Sequence, residues 1–159
     1  MIRTIAFVLA TATTALVGAM SAAAQATTTT TNEQVPISVI QFVPCANDGA
    51  GELVVLEGTL HILSHVTIDD QGGLHVKQHF QPQGVSGTGL TTGDKYRGTG
   101  VTQTQFNATA GFEQTDINNF RIIGQGPENN FLVHATFHVT VTPNGDVTTV
   151  VDNFSVECR

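Results

Sequence analysis

Residues 52–80 contain the pattern that decides the fold: ELVVLEGTLHILSHVTI, then DDQGG, then LHVKQHF. In each run apolar and polar side chains alternate, which is the period of a β-strand. The intervening Asp-Asp-Gln-Gly-Gly is a strong turn signal, so the two runs predict an antiparallel hairpin. One face of that hairpin holds Val54, Leu56, Gly58, Leu60, Ile62, Val66, Ile68, Leu74, Val76 and Phe80.

The same alternation extends through the rest of the chain. Residues 131–142 (FLVHATFHVTVT) form one alternating run, and the Asn-Gly of Pro143–Asp146 predicts a tight turn into a returning strand at 147–156. Shorter strands are expected at 37–42 and 101–106, and residues 112–124 predict either one bent strand or two short ones broken at Asp116. The glycine-rich residues 82–100 are expected to be mostly loop. No stretch after residue 26 has helical periodicity. The fold class is therefore all-β, a single antiparallel meander of seven or eight strands closed as a barrel, with a sandwich as the second choice.

The first residues are typical of an export signal. Residues 1–26 place Arg3 before an apolar stretch, and small residues end in Ala-Gln-Ala, the pattern of a cleaved signal peptide. A retained membrane anchor is the alternative, but threonines and a glycine interrupt the apolar stretch. Residues 27–34 predict a disordered, threonine-rich tether, and residues 35–159 the all-β domain. We expect a secreted or periplasmic protein with no membrane span once the signal is removed.

The two cysteines, Cys45 and Cys158, predict one disulfide in an exported chain. Such a bridge would bring the start of the strand at 52–68 beside the end of the strand at 147–156. If these two strands pair, the meander closes into a barrel and hides its edges. Two free thiols are the competing interpretation.

Charge excludes one class of partner. Only 12% of the residues are charged, about half the usual ~25%. After residue 26 there are five basic and thirteen acidic residues, a net charge of −8. Nucleic-acid binding requires a basic surface, so we expect no nucleic-acid partner.

The six histidines fall in three pairs spaced by four residues. In a strand this spacing places two residues on one face but ~13 Å apart, so no pair can chelate a metal ion alone. If Ile68 pairs with Leu74, His79 lies diagonally between two histidines of the preceding strand. The candidate polar-face or ligand residues are His61, His65, His75, His79, His134, His138, Glu57 and Lys77.

Three interpretations of this polar set stay open. It is the solvated face of an antiparallel sheet, or it lines a ligand-binding interior, or several imidazoles hold zinc, copper or nickel. Lys77 argues against a cation at the centre of the set, whereas Glu57 could add an oxygen ligand. We assign no metal, no cofactor and no catalytic residue from the sequence.

Three segments resemble uncharacterised exported bacterial proteins: HFQPQGVSGTGLTTGDKY at 79–96, NNFRIIGQG at 118–126 and NFLVHATFHVTV at 130–141. The strand pattern is also similar to that of calycin-type barrels. The resemblance implies export and a β-rich fold, and it implies no activity or catalytic residue.

The leading functional hypothesis is therefore non-enzymatic. An aliphatic face and a glycine-rich loop that could act as a lid favour binding of a small apolar or amphipathic ligand, or of a partner surface. One alternative is an isomerase or cyclase that uses histidine acid–base chemistry in a barrel cavity. Another is a structural or interaction protein, and the sequence does not fix the oligomeric state.

Overall fold

A computed structural model describes residues 25–125 and 130–159. These residues form one sheet of seven antiparallel strands in chain order, with no helix among them. The strands are β1 (Thr27–Val43), β2 (Glu52–Ile68), β3 (Leu74–Gly89), β4 (Lys95–Ala108), β5 (Phe112–Gly124), β6 (Phe131–Val141) and β7 (Val147–Cys158). The all-β class and the seven-strand meander are confirmed. The expected signal peptide, residues 1–26, lies outside the described residues except for its last two positions.

The predicted hairpin register is also confirmed. Ile68 lies opposite Leu74, and the pairing continues residue by residue to Thr59 opposite Gln83. A β-bulge follows, because Gly58 has no partner in the ladder and pairing resumes with Glu57 opposite Ser86. The turn chemistry and the alternating pattern agree here, and such agreement fixes a register.

The expected tether at residues 27–34 is instead the first half of β1. It pairs with β2 over its whole length, from Thr27 opposite Ile68 to Gln34 opposite His61. Threonine is a good strand former, and its hydroxyl finds cross-strand partners. The Thr28 hydroxyl, for example, lies 2.8 Å from that of Thr67.

This longer β1 also explains why the expected pairing of residues 52–68 with 147–156 is wrong. β2 has β1 on one side and β3 on the other, so it has no free edge for β7. Among the described residues the sheet is not closed: the strand order begins at β1 and ends at β7.

The glycine-rich residues 82–100 differ from the expected loop as well. Residues 82–89 continue β3 and residues 95–100 begin β4, so only a short turn at 90–94 joins them. Within β3, Gly87 is needed for close packing between strands rather than for flexibility. A Cβ atom at Gly87 would collide with the backbone carbonyl of Val55 and approach the Leu56 side chain to 2.8 Å.

The buried core lies at one end of the apolar face. The turn between β1 and β2 folds over this end, and its Cys45 bonds Cys158 at the end of β7 with a Cα–Cα distance of 5.5 Å. The predicted disulfide is thus confirmed. At the opposite end the same face is open, since Ile68 is 53% and Val150 61% exposed. The buried residues of this hydrophobic core are Val43, Cys45, Ala46, Val54, Leu56, Val85, Tyr96, Ile122 and Phe131.

Candidate functional site

All six histidines lie on the face of the sheet opposite the buried core. His75 lies opposite Thr67 and Asn107, and the ladder carries the same face across β5 to His134 and His138. His79 lies opposite Leu63, diagonal to both His61 and His65, as the predicted register requires.

Five of these imidazoles bond to polar side chains on neighbouring strands. A ring nitrogen of each of three histidines donates to an asparagine carbonyl oxygen: His61 to Asn32 at 2.8 Å, His75 to Asn107 at 2.9 Å and His134 to Asn119 at 2.9 Å. Two others share a hydrogen bond with a threonine hydroxyl: His65 with Thr30 at 2.9 Å and His138 with Thr115 at 2.8 Å. These bonds stabilise strand pairs and favour the interpretation as a solvated face.

Residues 25–125 and 130–159 contain no group of three histidine, cysteine, aspartate or glutamate side chains that could hold a metal ion. Lys77 lies opposite His65 on β2 and Gln105 on β4. Glu57 lies away from the histidines, beyond the bulge at Gly58, where its carboxylate accepts a 3.5 Å hydrogen bond from the Ser38 hydroxyl. The sheet therefore does not bring Glu57 together with the histidines.

One histidine helps hold the turn between β2 and β3. Asp69 accepts hydrogen bonds from the backbone amides of Gln71 and Gly73, and its other oxygen accepts from His75 Nε2 at 3.0 Å. The bonds from Asp69 and then Asn107 raise the pKa of His75 above its ordinary value. The bond from His75, followed by that from Gly73, lowers the pKa of Asp69. Both shifts favour the charged pair.

We expect this pair to make the stability of the turn depend on pH. A raised histidine pKa contributes stability below the ordinary value of 6.5, and the contribution is lost as pH rises through the raised pKa. The lowered pKa of Asp69 contributes above 3.8 and is lost as pH falls through it. Replacing His75 by Gln should therefore lower the melting temperature more at pH 5.5 than at pH 8.5.

The control is His79→Gln, which removes an imidazole from the same strand without touching Asp69. Thermal melts of both variants and the parent protein at the two pH values test the prediction. Equal pH dependence in the two variants would contradict it.

A groove of about 790 Å³ opens on the histidine-bearing face, at the end of the sheet above the buried core. Strands β2 to β5 form its walls, so rigid ladder pairs position the side chains. Val55 and Ile123 supply apolar surface, Ser86 and Thr88 supply hydroxyls, and Glu57, Lys95 and Arg97 supply charge. Lys95 lies opposite Thr88 and donates a 3.0 Å hydrogen bond to its hydroxyl. None of the six histidines is among these lining residues.

Below the groove, at the same end of the sheet, Glu52 is a buried carboxylate that accepts hydrogen bonds from four donors. It is 2% exposed and accepts hydrogen bonds from the amides of Thr91 and Thr92, the Thr92 hydroxyl and the Tyr96 hydroxyl. Burial acts to raise the pKa of Glu52, but the hydrogen bonds, that of the Thr92 amide first, outweigh burial and lower it. Burial and the bond to Glu52 raise the pKa of Tyr96.

The cluster that Glu52 forms with Thr91, Thr92 and Tyr96 is structural, because the Glu52 carboxylate holds the turn between β3 and β4 against the start of β2. Gly89 leaves the space that the carboxylate occupies: a Cβ atom there would collide with both oxygens of Glu52. No sequence pattern indicates this role of Glu52, because a glutamate at the start of a strand gives no sign of a tyrosine partner 44 residues away.

Two further observations bear on how the protein can be classified. No helix in the part of the chain that the structure describes is long and apolar enough to cross a membrane. The chain matches no family model, no curated protein and no solved structure in the comparisons.

Proposed function

We propose that the protein binds a small amphipathic ligand in the groove between β2 and β5, and that it does so outside the cytoplasm. The observation that carries the proposal is the groove lining, in which Val55 and Ile123 supply apolar surface while Ser86 and Thr88 offer hydroxyls. Binding sites of this size commonly combine apolar walls with a few polar groups. The disulfide supports an exported, oxidising location.

The scaffold suits binding without catalysis. The groove walls belong to paired strands, so the site needs neither the expected lid nor closure of the sheet into the expected barrel. Acid–base chemistry by histidine, which an isomerase or cyclase would use, gains no support at this site because no histidine lines it.

The test is a titration with N-phenyl-1-naphthylamine, a neutral apolar probe whose fluorescence rises in an apolar site. We expect saturable binding by the parent protein and about tenfold weaker binding by Ile123→Ser, since lost apolar contact of about 1.4 kcal/mol corresponds to a factor of ten. Ile123 is 42% exposed, so the variant keeps the core intact.

Ile117→Ser is the matched control. Ile117 lies on the same strand and face and is 37% exposed, but it does not line the groove. Equal effects of the two substitutions, or no saturable binding by the parent protein, would overturn the proposal.

A further inference from the structure

The groove concentrates positive charge in an acidic protein. After residue 26 the chain has five basic and thirteen acidic residues, and two of the five, Lys95 and Arg97, line this one groove. They are two residues apart on β4, so their side chains lie on the same face about 6.6 Å apart along the strand. Both side chains are exposed.

Neither cation is neutralised by a carboxylate among the described residues. The ion pairs found there are His75 with Asp69, His138 with Glu113 and Arg159 with Glu157, all away from the groove. The Lys95 ammonium has one bond, to the Thr88 hydroxyl, which leaves donors for a ligand. Arginine presents a planar fork that matches a carboxylate with two parallel hydrogen bonds.

Glu57 limits the charge that such a ligand can carry. In the ladder Glu57 lies opposite Ser86, and Ser86 lies opposite Arg97, so one strand separates the carboxylate from the guanidinium. This separation is about 9.6 Å between backbones, and Ser86 stands between the two charges. The charged lining residues are Lys95, Arg97 and Glu57, so the groove carries a net charge of +1 that a single negative charge on the ligand neutralises. A second negative charge would find no further basic side chain in the lining and would lose its hydration without compensation.

We infer that the ligand is an amphipathic monocarboxylate whose carboxylate binds Arg97 and Lys95 while its apolar part covers Ile123 and Val55. This inference rests on the proposed function, because it names the ligand class of the same groove. Arg97 supplies the charge-assisted hydrogen bonds, which are roughly twice as strong as neutral ones.

Competition against bound N-phenyl-1-naphthylamine at pH 7.5 tests the inference with two ligands of equal chain length, decanoate and decanol. We expect decanoate to bind the parent protein at least tenfold more tightly than decanol. Arg97→Gln should remove most of that preference by weakening the binding of decanoate. Arg121→Gln is the control, since Arg121 lies on the same face of the adjacent β5 outside the groove lining.

The outcomes separate the two proposals. Equal binding of decanoate and decanol to the parent protein, or equal loss of preference in both arginine variants, overturns the carboxylate inference while probe binding still supports a ligand groove. Failure of the probe itself to bind overturns the proposed function. Decyl phosphate, which carries two negative charges, completes the series: if it bound as tightly as decanoate or more tightly, the groove would not be matched to a single negative charge.

Discussion

Removing the Cys45–Cys158 disulfide should lower the free energy of unfolding by about 4–5 kcal/mol, because the bridge closes a loop of more than a hundred residues. The two cysteines are 113 residues apart. The bridge joins the turn after β1 to the end of β7, two parts of the sheet that no strand pairing joins. The measurement is denaturant unfolding of the parent protein and of a Cys45→Ser, Cys158→Ser double variant.

The parent protein in reducing buffer is the control, and its stability should fall to that of the double variant. We also expect faster amide exchange in β7 than in β3 of the double variant, since β7 contacts the sheet on one side only. A stability difference below about 1 kcal/mol would show that ladder contacts alone hold β7 in place.

Replacing Glu52 by Gln should lower the free energy of unfolding by about 3 kcal/mol. The reason is that the amide of the variant places an NH₂ donor where the carboxylate has an oxygen that accepts hydrogen bonds. Three side-chain and backbone groups of Thr91 and Thr92 point at this carboxylate in a buried site. Tyr96→Phe is the matched comparison, because it removes one donor and leaves the charge with the others. It should cost less, about 1.5–2 kcal/mol.

The pH dependence of the Glu52 effect has a defined sign. The pKa of Glu52 is lowered in the folded protein, so the carboxylate contributes stability above the ordinary value of 4.5, and the contribution is lost as pH falls through the lowered pKa. Denaturant unfolding of the parent and the Gln variant should therefore differ most near neutral pH and converge in acid. A constant difference from pH 3 to pH 7 would contradict the ionised state of Glu52.

The parts of the fold that the sequence predicts are those in which local signals agree. In the hairpin at 52–80 the alternation and the turn specify one register, and the structure has that register down to the bulge at Gly58. Residues 27–34 lack apolar alternation, so their pairing depends on the free edge that β2 offers. Residues 82–89 contain glycines that indicate a loop in isolation, but in the fold these glycines allow close contact between strands.

The groove could not be predicted for a different reason. Its lining comes from four strands, and Val55 and Ile123 become neighbours only through the pairing of the strands between them. The sequence drew attention to the histidines because their spacing is regular. Their hydrogen bonds to asparagine and threonine are made across strands, so neither those partners nor the charged groove can be identified from spacing along the chain.

The unbroken antiparallel order of seven strands gives the two edge strands the same direction: β1 and β7 both run toward the end that carries the disulfide. If the edges met directly, their ladder would be parallel, and a parallel ladder is slightly less stable per residue. One additional strand that runs away from the disulfide would be antiparallel to both edges at once. Because the strands of the described residues are odd in number, the two free edges of the sheet have the same direction, and only one direction of an added strand allows antiparallel pairing with both.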